Sequence, residues 1–414
     1  MSIFKKIKQH SVAKNAFALV IMQISNYAIP LLLLPFLTRI LGVEAFGMVA
    51  ITLAVSQFAF VLTDYGFSLS ATYAISKNRD NQTYINNKVN AVFCSKFILV
   101  LISFLVISIM PWVIPSYYNY KSYFLIILIA VFFQAYQPLW FFQGIEKMKN
   151  ITIYSVLTKL LYAILVLSFI RAPDDAIYVI LFWGISQAIG TLCATYFLYK
   201  EGYSFQLPSL FAIKSELKEG LEFFWSRLSV SVYTSLSTVV VGTSGSLQAS
   251  LYAIPEQIYK AGQNVTAPIS AAMFPYMARH KDWKLFFRVF FISLSVLIFG
   301  SLVITYFAED ILVFVFGPEF HSATSILYVF IITVNVSYIA VTFGYSAFSA
   351  LGRNDIANKS VMYGAMIHII VITILIISHN ITALNIAYTV LLTETVVMSL
   401  RTYFFMKLKK TQYE

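Results

Sequence analysis

Asn90–Val113 reads NAVFCSKFILVLISFLVISIMPWV, a run whose one charged residue is Lys96. A helix needs about 20 apolar residues to cross about 30 Å of hydrocarbon, and this run is long enough. The whole chain repeats the pattern. Of 414 residues, 59% are hydrophobic and 11% charged, and the mean hydropathy is +0.77. Twelve spans are expected, at 16–41, 47–76, 90–113, 121–144, 152–170, 176–199, 220–242, 247–278, 286–307, 322–349, 359–377 and 383–406. The composition therefore predicts an all-α polytopic membrane protein with little chain outside the bilayer.

Lys5, Lys6, Lys8 and Lys14 precede the first run, as in a signal peptide. The run is too long for one and lacks a small-residue cleavage site, so it reads as a retained first helix. Orientation follows from the loops. Of the 29 lysines and arginines, 21 fall in the amino-terminal tail, alternate loops and carboxyl tail, three (Arg39, Lys121 and Arg171) on the other side, and five within spans. By the positive-inside rule both termini are cytoplasmic. The net charge of +11 is this bias spread over many segments, not a nucleic-acid footprint. Cys94 and Cys193 lie within spans, without metal-ligand spacing, and read as apolar fillers.

Six spans, a basic linker and six more spans suggest lobes at 1–199 and 220–414, joined by 200–219. Transporters often carry such repeats. Gly42 with Ala50 and Ile51 aligns with Gly245, Ala253 and Ile254 at a constant offset of 203. Pro30, Pro35, Pro138, Pro255, Pro268 and Pro275 fall inside spans, where proline frees a carbonyl and permits a bend.

Lys96, Lys159, Arg227, Lys260 and Arg401 are cations within apolar runs. Such a charge costs about 2.5–3.5 kcal/mol on insertion scales and needs a cavity, a partner or a ligand. Arg401, near a helix end, is expected to snorkel. Polar residues recur at helical spacing around the others. Arg227 goes with Ser231, Thr234 and Thr238; Lys159 with Thr152, Ser155 and Tyr162; Lys260 with Glu256, Gln263 and Asn264. Gln57, Asp64 and Ser68 make a fourth face, Gln23 and Asn26 a fifth. Lipid cannot satisfy these faces, so they imply a polar lumen or hydrogen bonds between helices.

Lys96, Lys159 and Arg227 lie roughly 12–14 Å from the cytoplasmic loops at about 1.5 Å per residue. Together with Lys260, Gln23 and Asn26 they are the expected substrate-binding residues, the cations suiting phosphate. Asp64, Glu256 and Glu394 are the deep acids, expected to pair with these charges or to couple transport to H+ or Na+. If charge alone matters, Lys→Arg at these sites should be milder than Lys→Ala. Tyr162, Tyr259 and Tyr345 could stack on sugars, and His368 reads as a packed residue. No cofactor, metal cluster or nucleophile–base motif is evident.

Several stretches resemble the Wzx-type O-antigen flippases of the multidrug, oligosaccharidyl-lipid and polysaccharide exporter superfamily. They are Gln137–Met148 (QPLWFFQGIEKM), Thr63–Phe67 (TDYGF) with Ser70–Thr72 and Ile75, and Tyr252–Lys260 (YAIPEQIYK). Pro268–Ser270, Phe274–Tyr276, Phe316–Phe320 and Leu351–Asn354 also fit. The resemblance implies two six-helix lobes around a central cavity, in the bacterial inner membrane. It also implies alternating access that carries an undecaprenyl-pyrophosphate-linked oligosaccharide from the cytoplasmic to the periplasmic leaflet, with an O-antigen polymerase and a chain-length regulator as partners. It assigns no role to the individual lumenal charges. Two other readings compete. A cation-coupled multidrug exporter of the same fold should have an acidic lumen, whereas here deep bases outnumber deep acids. A polymerase or ligase needs a large external loop, and the longest here, 308–321, is short.

Overall fold

The computed structural model describes the backbone of residues 2–411 and the side chains of residues 21–410 other than Glu222 and Ser226. The lysines of the amino-terminal tail lie outside the described side chains. Among the described residues there is no strand. The chain is helical throughout: α1 (Ser2–Asp64), α2 (Phe67–Lys77), α3 (Gln82–Val113), α4 (Lys121–Ala135), α5 (Leu139–Gly144), α6 (Met148–Phe169), α7 (Ala176–Lys200) and α8 (Leu210–Tyr233). Then follow α9 (Ser235–Gly242), α10 (Ser246–His280), α11 (Trp283–Tyr306), α12 (Ala308–Ile311), α13 (Thr324–Val341), α14 (Ala347–Ala350), α15 (Asn354–Ile377) and α16 (Ala383–Thr411).

Nine of the described helical segments are long and apolar enough to cross a membrane. One of them, Ile21–Lys77, has 57 residues, more than twice the length that about 30 Å of hydrocarbon requires. It is interrupted by two left-handed glycines, Gly42 (φ 71°) and Gly66 (φ 83°). The stretches 210–242 and 246–280 are helical but are not among the nine. The outer faces confirm the solvent. On α3, Leu101, Leu105 and Val106 are exposed, and α11 exposes Phe291, Val296, Phe299 and Leu302. Contiguous apolar surface on this scale belongs against lipid. This is a multi-pass membrane protein.

The chain forms two compact units, Met1–Leu41 with Thr52–Leu228, and Gly42–Ile51 with Ser229–Glu414. The division falls inside α8 rather than in the linker, because the first half of α8 packs on the end of α1. A Cβ at Gly220 would sit 2.7 Å from the Tyr65 carbonyl oxygen, one at Gly66 2.7 Å from that of Gly220, and Tyr65 stacks on Phe224 at 4.6 Å. In the second unit, residues 42–51 are pinned by the Val43 N–H donating to Glu319 Oε2 (2.9 Å) and by Gly47 against the Ser246 carbonyl. Gly42 and Gly245, aligned by the sequence repeat, both adopt positive φ (71° and 112°) and both break the helical path.

The core of the first unit gathers Phe67, Ala71 and Ile75 of α2 with Trp140, Phe141 and Phe142 of α5. Thr72 Oγ1 donates to the Trp140 carbonyl (3.1 Å), and a Cβ at Gly144 would meet Ile75 at 2.7 Å. The two family-like stretches of this unit are thus packed against each other. The second unit centres on Phe286, Phe290, Tyr338, Phe343, Phe348 and Phe405.

Candidate functional site

The expected span 121–144 is broken. Helix α4 stops at Ala135 and α5 starts after Pro138, which lacks an N–H. The last turn tightens, Tyr136 and Gln137 N–H donating to the Phe133 and Gln134 carbonyls (3.2 and 3.3 Å), while Leu139 N–H turns to Gln137 and leaves the Ala135 carbonyl without its helical donor. Thr191 Oγ1 caps the Phe133 carbonyl at 2.6 Å, and Lys96 Nζ caps that of Ala135 at 2.7 Å. Lys96 is only 1% exposed. It is a buried cap whose charge faces the negative end of a helix dipole, not a group open to a lumen.

Arg401 also departs from expectation. It does not snorkel: it is 6% exposed, and its guanidinium donates to Ser360 Oγ (2.8 Å) and to the carbonyls of Ala340 (2.7 Å) and Ala357 (3.0 Å). The cause is a π-helical stretch, Thr342–Ser346, with Gly344 out of helical conformation. It leaves room for the guanidinium, since a Cβ at Gly344 would lie 2.8 Å from Arg401 Nη1.

The other cations keep partial exposure. Arg227 (35% exposed) pairs through Nη1 with Oδ2 of Asp64 (2% exposed), whose Oδ1 accepts from Ser68 Oγ. Lys96 lies within electrostatic reach of both members of the pair. Lys260 (32% exposed) pairs with Glu256 Oε1 at 2.9 Å, and Thr238 Oγ1 donates to the other carboxylate oxygen. Lys159 is half-buried, its Nζ 4.2 Å from the Trp183 ring centroid, an attraction of about 0.5–2 kcal/mol. Among the described residues it makes no ion pair. Next to it, Tyr162 meets Trp183 edge-on at 5.2 Å, and the Gln137 amide donates to Gln187 Oε1 at 2.8 Å.

The polar face Arg227, Ser231, Thr234, Thr238 is not one helical face, because the helix breaks at Thr234 (φ −104°, ψ −81°) between α8 and α9. Gln23 is exposed and Asn26 half-buried on α1. Glu394, 5% exposed, accepts from the Tyr259 hydroxyl at 3.1 Å, and Gln263 bridges Tyr259 and Ser337 (2.6 and 2.8 Å). His368 is fully buried between Ser237 (3.0 Å) and Thr393 (2.9 Å). Of the three tyrosines, Tyr162 and Tyr259 are buried, and Tyr345 is exposed and hydrogen-bonded to Asn358. The first unit thus brings together Asp64, Arg227 and, deeper, Lys96, while the second joins Glu256 to Lys260 and Glu394 to Tyr259. Trp183, Gln187 and Thr191 went unread in the sequence. Their spacing of four along α7 was the available signal.

A protein of Escherichia coli K12 named for O-antigen transport is 28% identical over 267 residues, covering 64% of each chain. The match thus spans just under two thirds of that relative. A Shigella dysenteriae protein named likewise is 25% identical over 86% of this chain and 91% of its own. Among solved structures, an inward-facing multidrug resistance MATE family transporter of the MOP superfamily matches with a TM-score of 0.69 at 16% identity, over 94% of this chain and 96% of that one. A MOP superfamily transporter from Pyrococcus furiosus matches at 0.58 and 14%, over 94% of each chain. These structures share the fold. The model of the family described as polysaccharide biosynthesis protein matches residues 12–281, and the chain belongs to that family.

Proposed function

We propose that the protein is a flippase that carries undecaprenyl-pyrophosphate-linked O-antigen repeat units from the cytoplasmic to the periplasmic leaflet by alternating access. Family membership and the two relatives named for O-antigen transport support the class of substrate. One observation supports an anionic ligand above others: Lys159, within a membrane-spanning helix, has an aromatic neighbour but no carboxylate partner among the described residues. A cation held in such a place is favoured by an arriving phosphate. Arg227 could join it by exchanging part of its bond to Asp64 for a phosphate oxygen. Lys260 and the partly exposed Gln23 and Asn26 are further contacts for the headgroup or sugars.

The reading places the protein in the bacterial inner membrane with both termini cytoplasmic, working with an O-antigen polymerase and a chain-length regulator and doing no covalent chemistry. Coupling to H+ or Na+ would use Glu394, Glu256 or Asp64. The test is complementation of a flippase-null strain. Wild type should restore surface O-antigen, and Lys159→Ala should not, while reaching the membrane at wild-type level. Normal display from Lys159→Ala would remove the anion-binding role, and failure of wild type with every O-antigen cluster tried would remove the substrate class.

A further inference from the structure

Helices α15 and α16 are both long enough to span the membrane. Where α15 begins and α16 ends, the second unit contains a cavity of about 280 Å³. Its polar rim is Arg353, Asp355, Lys359 and Lys407, and its apolar wall includes Leu400 and Phe404. Arg353 grips Asp355 through two hydrogen bonds, Nε to Oδ1 (2.9 Å) and Nη2 to Oδ2 (3.1 Å), and Lys359 Nζ stands 3.7 Å from Oδ2. Two cations, Arg353 and Lys359, hold one carboxylate, so these three groups keep one positive charge. The rim also lies at the first turn of α15, whose dipole favours an anion.

The cavity thus has a cationic mouth at the polar ends of two spanning helices and an apolar wall running toward the hydrocarbon. A free phosphate would use only the mouth, and a neutral lipid tail only the wall. We propose that this cavity binds the phosphodiester headgroup of an anionic phospholipid, its acyl chain lying along Leu400 and Phe404. The site shares no residue with the proposed substrate contacts and does not depend on the transported substrate.

The test uses the full-length protein in detergent, titrated by native mass spectrometry with phosphatidylglycerol and with phosphatidylcholine. With each basic residue near a membrane surface contributing about fivefold to anionic-lipid binding, Lys359→Gln and Arg353→Gln should each weaken phosphatidylglycerol binding by about that factor. Asp355→Asn should tighten it, a change that misfolding cannot imitate. Inorganic phosphate should not displace the lipid. Equal affinity for the two lipids, indifference to all three substitutions, or displacement by inorganic phosphate would overturn the proposal.

Discussion

Lys96 and Lys159 carry the same side chain in the same family of apolar runs, and the structure separates their roles sharply enough to test. Lys96→Met keeps the volume but removes the donor to the Ala135 carbonyl. A buried carbonyl left unsatisfied costs about 1–3 kcal/mol, and losing a cation at a helix C-terminus costs up to ~2 kcal/mol. Relief from burying the charge offsets part of this, because a desolvated ammonium is itself costly. The net loss should be ~1–3 kcal/mol, or several degrees of melting temperature at roughly 2–4 °C per kcal/mol. Lys96→Arg should not rescue, since a guanidinium overpacks a site 1% exposed at about 1–3 kcal/mol. Lys159→Gln should behave oppositely: a small change in melting temperature, a large loss of O-antigen display, and rescue by Arg, which also stacks on Trp183. Melting is read by fluorescence-detected size exclusion in detergent, and display by surface antigen staining of complemented cells. A Lys96→Met protein with unchanged melting temperature and abolished display would refute the capping role and return Lys96 to the substrate.

Arg401→Ala removes three buried hydrogen bonds, while the Ala357 carbonyl keeps Ser360 Oγ, and should cost about 1–3 kcal/mol, seen as loss of folded protein in the membrane fraction; Arg401→Lys, keeping fewer of the three bonds, should fall between. A double-mutant cycle on Asp64→Ala and Arg227→Ala, followed by thermal unfolding, should give a coupling of roughly 0.5–3 kcal/mol, and a value near zero would dissolve the pair. Gly220→Ala drives a Cβ to 2.7 Å from the Tyr65 carbonyl. It should lower both melting temperature and display by levering α8 away from Asp64, and full activity would show that the close approach is dispensable.

The apolar runs made the helical, membrane-spanning class readable without a structure, because length and hydropathy are local properties of a segment. Pairing of Glu256 with Lys260 was equally readable, since both sit one turn apart on one helix. The Asp64–Arg227 pair was not specified, since Asp64 was one of three deep acids available to any of the deep cations and 163 residues of chain separate the two. Arg401 and Lys96 could not be placed by residue type at all. Their partners are the backbone carbonyls of Ala135, where α4 stops short of Pro138, and of Ala340 and Ala357, which Arg401 reaches past a π-helical stretch that follows α13. Every residue has a carbonyl, so no side-chain pattern marks the one that needs a cation. Sequence by itself determined which charges must be satisfied inside the membrane. Tertiary structure decided which are spent on the backbone and which, like Lys159, meet an aromatic ring and no carboxylate among the described residues.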